Sequence, residues 1–285
     1  MTLRERLSRP EILIAPGCYD ALSALLIQQA GFEAAYLSGA SVSYTRFGLP
    51  DIGLVGMNEM AQTLRAIADR VDLPLIVDGD TGFGNALNVQ RTVQSYRTSG
   101  AGAIQIEDQT FPKRCGHLDN KQLITTAAMT GKLRAADDAR GDSDMLIVAR
   151  TDAVAVEGME AALERAEAYI EAGADMLFVE APPTTDALQM VGEKLGHRIP
   201  LMANMVEGGK TPLSSAHDLQ EMGYSMVIFP GAFVRALAWA GQAFFASLHE
   251  HGTTRPFADR MHDFQSLNDV LDTPGFIARG KTYEE

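Results

Sequence analysis

Short apolar segments alternate along this chain with longer amphipathic segments. Segments such as Ile12–Pro16 and Pro74–Asp78 show no polar alternation, which is typical of parallel strands covered on both faces. The segments between them have the length of helices, and most of them end at a glycine. Eight strands are predicted, at residues 12–16, 34–39, 74–78, 103–107, 145–150, 176–180, 200–204 and 226–229. Eight strand–helix units favour an α/β fold of the closed (β/α)8 TIM-barrel type over an open sheet.

The amphipathic segments predict one helix after each strand. The predicted helices cover residues 21–30, 59–70, 89–99, 125–139, 159–172, 184–195, 214–222 and 232–249, after a first short helix at 3–9. No linker divides the chain, so we expect residues 1–285 to form a single domain. Residues 255–285 do not continue the repeat. We expect them to form one or two extra helices, packed on the barrel or on a neighbouring subunit.

Composition and charge narrow the function classes. The chain has 285 residues, of which 46% are hydrophobic and 21% are charged, as in an ordinary soluble enzyme. A net charge of −13 argues against nucleic acid or an anionic membrane as a partner, because both select for basic patches. An anionic substrate is still compatible with this charge, since a local cation can make the electrostatic potential of a pocket positive. We expect no signal peptide, because the first residues are of mixed charge and no long apolar run follows them, and no run approaches the ~20 apolar residues of a spanning helix, so we expect a cytoplasmic protein.

Polar residues and one glycine stand at the last positions of the predicted strands or just after them, and these positions meet at one mouth of a barrel. They are Ser38, Gly39, Asp78, Asp80, Glu107, Arg150, Glu180 and Asn204. Carboxylates gathered there repel one another unless a cation lies among them. Oxygen ligands without a His or Cys cluster favour Mg²⁺ or Mn²⁺. Capping of the following helix explains any one of these acids equally well, but it does not explain all of them at one rim.

Two features of this mouth suit a carboxylate substrate. The planar fork of Arg150 matches a carboxylate, although a salt bridge with Glu180 or Asp152 would also explain this arginine. The small residues Ser38–Ala40 allow backbone N–H groups to approach an anion, although such loops are common.

One loop after the fourth strand carries two cations, a thiol and an imidazole, with the sequence Lys113-Arg114-Cys115-Gly116-His117. Neighbouring cations tend to lower the pKa of a thiol, so we expect Cys115 to be chemically active. Cys18, in contrast, is expected to be a small buried residue. His117 is either a proton relay or an organiser of the loop.

With these residues in place, the chain resembles the isocitrate lyase / phosphoenolpyruvate mutase superfamily over roughly residues 10–250. The matching motifs are Leu37–Gly39, Asp51, Asp78–Gly84, Ile106–Gln109, Lys113–His117, Ala149–Asp152 and Asn204–Pro212. The cysteine loop resembles the signature of the carbon–carbon lyases in that superfamily. Among these, the chain looks like the group that holds the 2-methylisocitrate lyases, the 2,3-dimethylmalate lyases and the petal death protein.

The resemblance implies a cofactor, a substrate and an assembly. The cofactor is Mg²⁺, held by Asp78 and Asp80, partly through water, with Asp51 and Glu107 around it. The substrate is a small-molecule carboxylate, for which the binding candidates are Ser38, Gly39, Ala40, Gly116, Arg150, Glu180, Asn204 and Arg235. The Cys115 loop closes over this substrate. The assembly is a homotetramer, a dimer of dimers in which the eighth helix is exchanged between subunits.

The implied reaction is Mg²⁺-dependent cleavage of a 2-hydroxy dicarboxylate, an alkylmalate or 2-methylisocitrate, to a 2-oxo acid such as pyruvate and a carboxylic acid. Cys115 is the expected general acid that protonates C3, and the basic side chains of Lys113 and Arg114 offset the developing charge. Tyr36 or a metal-bound water is the candidate base. Phe264 aligns with an Arg of the 2-methylisocitrate lyases, which favours a smaller alkylated malate.

Three alternatives stand beside this reaction. A phosphonomutase acting on carboxyphosphonoenolpyruvate also carries the cysteine loop. Hydrolysis of oxaloacetate to acetate and oxalate uses the same framework. A non-catalytic binding protein is the remaining class, and a thiol loop beside a carboxylate cluster argues against it.

Overall fold

The computed structural model describes residues 1–284 and contains a closed barrel of parallel strands. The strands of this barrel are β1 (Leu13–Cys18), β2 (Ala35–Leu37), β3 (Leu75–Asp78), β4 (Ala103–Glu107), β5 (Leu146–Thr151), β6 (Met176–Val179), β7 (Leu201–Asn204) and β8 (Met226–Phe229). Each strand pairs with the next in sequence order, and β1 pairs with β8 to close the barrel. The predicted (β/α)8 fold is therefore confirmed.

Helices follow the strands at the positions that capping residues favour. They are α1 (Leu3–Leu7), α2 (Ala21–Gln29), α3 (Gly39–Val42), α4 (Met57–Ala68), α5 (Ala86–Ser99), α6 (Thr126–Arg140), α7 (Met159–Glu171), α8 (Thr185–Leu195), α9 (Ala216–Glu221), α10 (Ala232–His251), α11 (Phe264–Val270) and α12 (Thr273–Lys281). Asp20, Thr125 and Ser215 each accept a hydrogen bond from the backbone N–H three residues later, which satisfies an otherwise unpaired donor of the first turn.

Several element boundaries differ from the predictions by a few residues, and capping explains two of the differences. The loop expected after β2 is the short helix α3, because the side chain of Ser38 accepts a hydrogen bond from the N–H of Ser41 and caps it. Helix α5 begins at Ala86 rather than at residue 89, because Asn85 caps the N–H groups of the next turn. The expected extra helices of the C-terminal segment are present as α11 and α12.

The described residues divide into two compact units. The first, Met1–Val234, contains the whole barrel, and its interior is filled by inward side chains such as Ile76, Val148 and Phe178. The second, Arg235–Glu285, holds most of α10 with α11 and α12, and it begins before the extension predicted from residue 255. The single domain expected over residues 1–285 stays a prediction. Within residues 1–284, no helix has both the length and the apolar character needed to cross a membrane.

Candidate active site

The carboxyl ends of the strands bring the predicted acids to one mouth of the barrel. Asp78 is the last residue of β3, and Glu107 ends β4, where it lies in register with Arg150 of β5. The backbone of Asp80 has a φ of 45° and that of Ala181, directly after β6 and Glu180, has a φ of 58°. Residues other than glycine rarely adopt this left-handed backbone conformation, and such strained positions concentrate at functional sites.

An ammonium group lies among these acids. Nζ of Lys113 is 2.6 Å from Oδ1 of Asp51 and 3.0 Å from Oδ1 of Asp80. Burial alone lowers the pKa of Lys113, but the carboxylates of Asp80 and Asp51 raise it well above its usual value. The lysine therefore keeps its charge and offsets part of the repulsion that the sequence predicted for this cluster.

Two of these acids, Asp80 and Glu107, bind protons more tightly than usual. Burial raises the pKa of Asp80 to about 7, against the lowering effect of Lys113, and Asp78 adds to the rise. Burial also raises the pKa of Glu107 well above its usual value, although Arg150 acts in the opposite direction. The four carboxyl groups of Asp51, Asp78, Asp80 and Glu107 outnumber the two cations Lys113 and Arg150 at this mouth, which favours the binding of a further cation.

The donor set fits a divalent metal ion in its chemistry. Asp78, Asp80 and Glu107 are at least nine-tenths buried, and within residues 1–284 Oε1 of Glu107 has no hydrogen-bond partner. A cavity of about 10 Å³ beside Asp51, Asp78 and Asp80 has room for about one water-sized particle. Carboxylate oxygens are the ligands that Mg²⁺ prefers. As the side chains of residues 1–284 stand, however, no three His, Cys, Asp or Glu groups are arranged to hold a metal, and Lys113 pairs with two of the predicted ligands, Asp51 and Asp80.

Arg150 is held by several acids at once. Its Nε donates to Oδ2 of Asp152 at 2.9 Å and its Nη2 donates to Oδ1 at 3.1 Å. Nε also lies 3.3 Å from Glu107, Nη2 lies 3.7 Å from Glu180, and the guanidinium stacks over the ring of Phe178. The structural salt bridges that the sequence left open are present, and they fix the guanidinium plane at the mouth. Binding of a substrate carboxylate by Arg150 stays a prediction.

His117 joins the loop to the strand ends. The N–H of Lys210 donates to Nδ1 of His117 at 3.0 Å, so the proton of the neutral ring lies on Nε2, which is 3.0 Å from Oε1 of Glu180. The amide of Asn204 is 3.3 Å from the other oxygen of Glu180. Burial raises the pKa of Glu180, but Arg150 and His117 bring it below its usual value, so it stays ionised. This geometry is that of a loop organiser, and the proton-relay role of His117 stays a prediction.

The segment Cys115–His117 covers the mouth. A Cβ added to Gly116 would lie 2.4 Å from Nη2 of Arg150 and 2.6 Å from Cγ of Glu180, so only glycine allows this approach. The N–H of Cys115 donates to the carbonyl of Asp51 at 3.3 Å. The segment therefore rests directly on the predicted substrate-binding arginine.

The expected lowering of the thiol pKa is wrong. Burial raises the pKa of Cys115, and the nearby carboxylate of Asp51 adds to the rise. The cations of the loop do not offset this effect, because Lys113 is paired with acids and Arg114 points to solvent, where it donates to the carbonyl of Asp119 at 3.4 Å. The structure therefore does not support a catalytic role for Arg114. Cys18 is fully buried, as predicted.

Tyr36 reaches the acids only through another side chain. Its hydroxyl donates to Oε1 of Gln105 at 3.0 Å, and Nε2 of Gln105 is 3.4 Å from Oδ1 of Asp78. Burial raises the pKa of Tyr36 well above its usual value, and Asp78 adds to the rise. A phenol that keeps its proton so firmly is poorly suited to act as the base.

Two of the backbone N–H groups predicted to bind a carboxylate have partners within the protein. The N–H of Ser38 donates to the carbonyl of Cys18, and that of Gly39 lies 3.3 Å from Oδ2 of Asp78. Ala40 lies in the first turn of α3. Arg235 is the first residue of the second unit, on α10.

Buried residues of this region were missed by the sequence reasoning. Asp108 accepts hydrogen bonds from Oγ1 of Thr151 at 2.8 Å, from the N–H of Asp152 at 2.9 Å and from the hydroxyl of Tyr169 at 2.7 Å. The sequence does contain a signal for Asp108, because it is a second acid directly after Glu107 at the end of an apolar strand. Lys121, which is also buried at this mouth, gave no such signal because it lies in an irregular polar stretch.

Comparisons with known proteins identify the family of this chain. Residues 3–249 match the family model described as phosphoenolpyruvate phosphomutase. The chain is 41% identical to 2,3-dimethylmalate lyase of Eubacterium barkeri, over 94% of this chain and 92% of that protein. It is 43% identical to 2-methylisocitrate lyase of Bacillus subtilis (strain 168), over 95% of this chain and 87% of that protein. A solved phosphonopyruvate hydrolase complexed with oxalate and Mg²⁺ superposes with a TM-score of 0.90 at 31% identity, covering 100% of both chains. This protein therefore belongs to the phosphoenolpyruvate phosphomutase family, within the superfamily that its sequence motifs predict.

Proposed function

We propose that this protein is a carbon–carbon lyase that cleaves a small 2-hydroxy dicarboxylate of the alkylmalate type to a 2-oxo acid, such as pyruvate, and a carboxylic acid. One observation carries the proposal: the thiol of Cys115 is held in a segment that rests on Arg150, beside a cluster of buried acids. The names of the relatives, a 2,3-dimethylmalate lyase and a 2-methylisocitrate lyase, support the same reaction type.

Each of the two substrate carboxylates has its own cation: Arg150 binds the C1 carboxylate, and Lys113 lies near the carboxylate beside C3. Asp152 holds the fork of Arg150 through two hydrogen bonds, so that its outer edge can pair with the C1 carboxylate. Lys113, whose charge is secured by Asp51 and Asp80, stabilises the negative charge that develops on the carboxylate beside C3. Mg²⁺ held by Asp78 and Asp80, with Asp51 and Glu107 around them, would lower the pKa of the C2 hydroxyl.

Cys115 completes the reaction as the proton donor. The C2 hydroxyl passes its proton to a water molecule at the cluster of acids, the candidate base that remains beside Tyr36, and becomes the carbonyl of the 2-oxo acid, while the C2–C3 bond breaks and its electron pair moves to C3. The thiol of Cys115 then donates a proton to C3, which gives the carboxylic acid. Its raised pKa suits this role, because the thiol stays protonated until the carbanion forms.

Four candidate substrates test the function: release of a 2-oxo acid is measured with 2,3-dimethylmalate, 2-methylisocitrate and phosphonopyruvate, and release of oxalate is measured with oxaloacetate. We expect turnover of 2,3-dimethylmalate, and weaker turnover of 2-methylisocitrate, because Phe264 replaces the arginine expected for a third carboxylate. Oxaloacetate and phosphonopyruvate serve as the test substrates of the hydrolase and phosphonate alternatives. Activity on either of these two alone would contradict the proposal. The cytoplasmic location stays a prediction.

Removal of divalent metal is expected to abolish activity. After treatment with EDTA and removal of the chelator, we expect at least a hundredfold loss of turnover, restored by Mg²⁺ and by Mn²⁺. Because a metal that binds only the folded state stabilises it, Mg²⁺ should also raise the thermal midpoint of the stripped protein. Full activity of the stripped protein would contradict the proposed metal role.

Replacement of the exposed loop arginine is expected to change little. Arg114→Ala should lower kcat/KM by less than about threefold, because its exposed guanidinium contacts the carbonyl of Asp119 and not the acids of the mouth. The matched variant Lys113→Ala removes the buried cation between Asp51 and Asp80 and should lower kcat/KM by at least a hundredfold. Steady-state kinetics of both variants measure the contrast. Equal losses in the two variants would show that Arg114 enters the site during turnover.

We also propose that the protein assembles as a homotetramer. In this dimer of dimers, subunits exchange the helix of the eighth strand–helix unit, which is α10. Helix α10 exposes large apolar side chains, among them Trp239 at 75% and Phe245 at 67% exposure. Exposed apolar patches of this kind mark protein interfaces. Trp239→Glu should shift the mass in multi-angle light scattering to a smaller species. The control Leu87→Glu, at a residue of α5 that is 72% exposed, should leave the mass unchanged. A monomeric unmodified protein would contradict the proposal.

A further inference from the structure

A buried lysine outside the proposed mechanism ties the catalytic loop to the barrel. The side chain of Lys121 is only 1% exposed, although it lies in an irregular stretch after the Cys115 segment. Its Nζ donates to the carbonyl of Gly116 and to Oδ1 of Asp152, at 2.9 Å from the latter. Because burial of an ammonium group is costly unless it is paired, this position requires both acceptors. The lysine thus connects the loop with the end of β5.

Asp152 is shared between this lysine and the arginine of the mouth. Its Oδ1 accepts from both Lys121 and Arg150, and its Oδ2 accepts from Arg150. Although burial raises the pKa of Asp152, the two cations bring it down to about 2, so it is a permanent anion. Its N–H donates to Asp108, which fixes the position of the carboxylate on the barrel.

Another lysine, Lys210, also forms an ion pair with this stretch, but the pair is exposed to solvent. Nζ of Lys210 lies 2.6 Å from Oδ1 of Asp119, but both side chains are exposed, at 39% and 82%. Exposed ion pairs contribute little, whereas hydrogen bonds of a buried charged group contribute more. Of these two ties, that of Lys121 holds Gly116 and the adjoining thiol more firmly over the mouth, and it acts beside the buried contacts of Lys113 and His117.

We propose that Lys121 is a positioning residue that, through Asp152, latches the Cys115–His117 segment over Arg150. With the latch formed, the carbonyl of Gly116 is fixed to the barrel and the thiol of Cys115 is held above the mouth. Without it, the segment lifts and the thiol is exposed to solvent. The catalytic meaning of the latch rests on the proposed function, in which Cys115 is the proton donor, but its existence can be tested without turnover.

Alkylation of the two cysteines by iodoacetamide, located by peptide mass spectrometry, tests the latch. Lys121→Met keeps the length of the side chain but removes its donors, and we expect it to speed alkylation of Cys115 at least tenfold. That factor corresponds to about 1.4 kcal/mol in the closing equilibrium. Lys121→Arg can still donate to both acceptors and should stay within threefold of the unmodified protein. Lys210→Met, which removes the exposed tie of the same loop, should also stay within threefold.

Cys18 serves as an internal reference, since it is fully buried within the barrel. An unchanged rate at Cys115 in Lys121→Met would overturn the proposal. So would an equal rise at Cys18, because the lysine would then support the barrel rather than the loop. In turnover, Lys121→Met should lower kcat at least tenfold with KM within threefold, and Lys121→Arg should restore kcat. If alkylation follows the expected pattern but no substrate releases a 2-oxo acid, the latch stands and the proposed function fails.

Discussion

Replacement of Cys115 by serine is expected to lower kcat by about 10²–10⁴-fold, the range that a positioned general acid contributes. A serine hydroxyl has nearly the same size but is a far weaker acid, so the carbanion at C3 loses its proton donor. The loop, Arg150 and the acids keep their places, so Mg²⁺ and the 2-oxo acid product should bind with unchanged affinity. Stopped-assay kinetics and isothermal titration calorimetry measure the two quantities separately.

The other cysteine provides the control. Cys18 lies in β1 with its side chain fully buried, and burial raises its pKa to about 12, so it has no access to a substrate. Cys18→Ala should retain turnover within threefold, with a small loss of thermal stability from the lost packing. Normal turnover in Cys115→Ser would remove the thiol from the mechanism.

Gly116→Ala is expected to lower kcat/KM at least a hundredfold. The new methyl carbon would lie 2.4 Å from Nη2 of Arg150 and 2.6 Å from Cγ of Glu180. Neither neighbour can move away cheaply, because Arg150 is fixed by Asp152 and Glu180 is buried against Arg150. The segment must lift instead, which takes Cys115 away from the mouth. Steady-state kinetics with the preferred alkylmalate measure the effect.

A second glycine gives the matched control. Gly131 lies within α6, and a Cβ at this position would meet nothing within 4 Å. Gly131→Ala should keep full activity and raise the free energy of unfolding by about 0.5–1 kcal/mol, because alanine loses less backbone entropy in a helix. If Gly116→Ala is as active as Gly131→Ala, the close approach of the loop to Arg150 has no role in catalysis.

The sequence by itself determined the barrel and the place of the acids. Apolar segments that end in charged residues predict parallel strands that are covered on both faces. The presence of eight such segments predicts that the sheet closes into a barrel. Because parallel strands all point the same way, Asp78, Glu107, Arg150 and Glu180 had to meet at one mouth. The polar residue Gln105 inside an apolar strand was visible in the sequence, although its contact with Tyr36 was not.

Only the tertiary structure decided which charges pair with which. Lys113 meets Asp51 across 62 positions of sequence, and Lys121 meets Asp152 across 31. The strands follow from a local pattern of apolar residues, but loop partners depend on how distant segments are brought together. The pKa of Cys115 shows the same limit, because the sequence displays two adjacent cations but neither the burial of the thiol nor the acids that engage Lys113. Burial and long-range pairing are properties of the folded chain, and they set the chemistry of this loop.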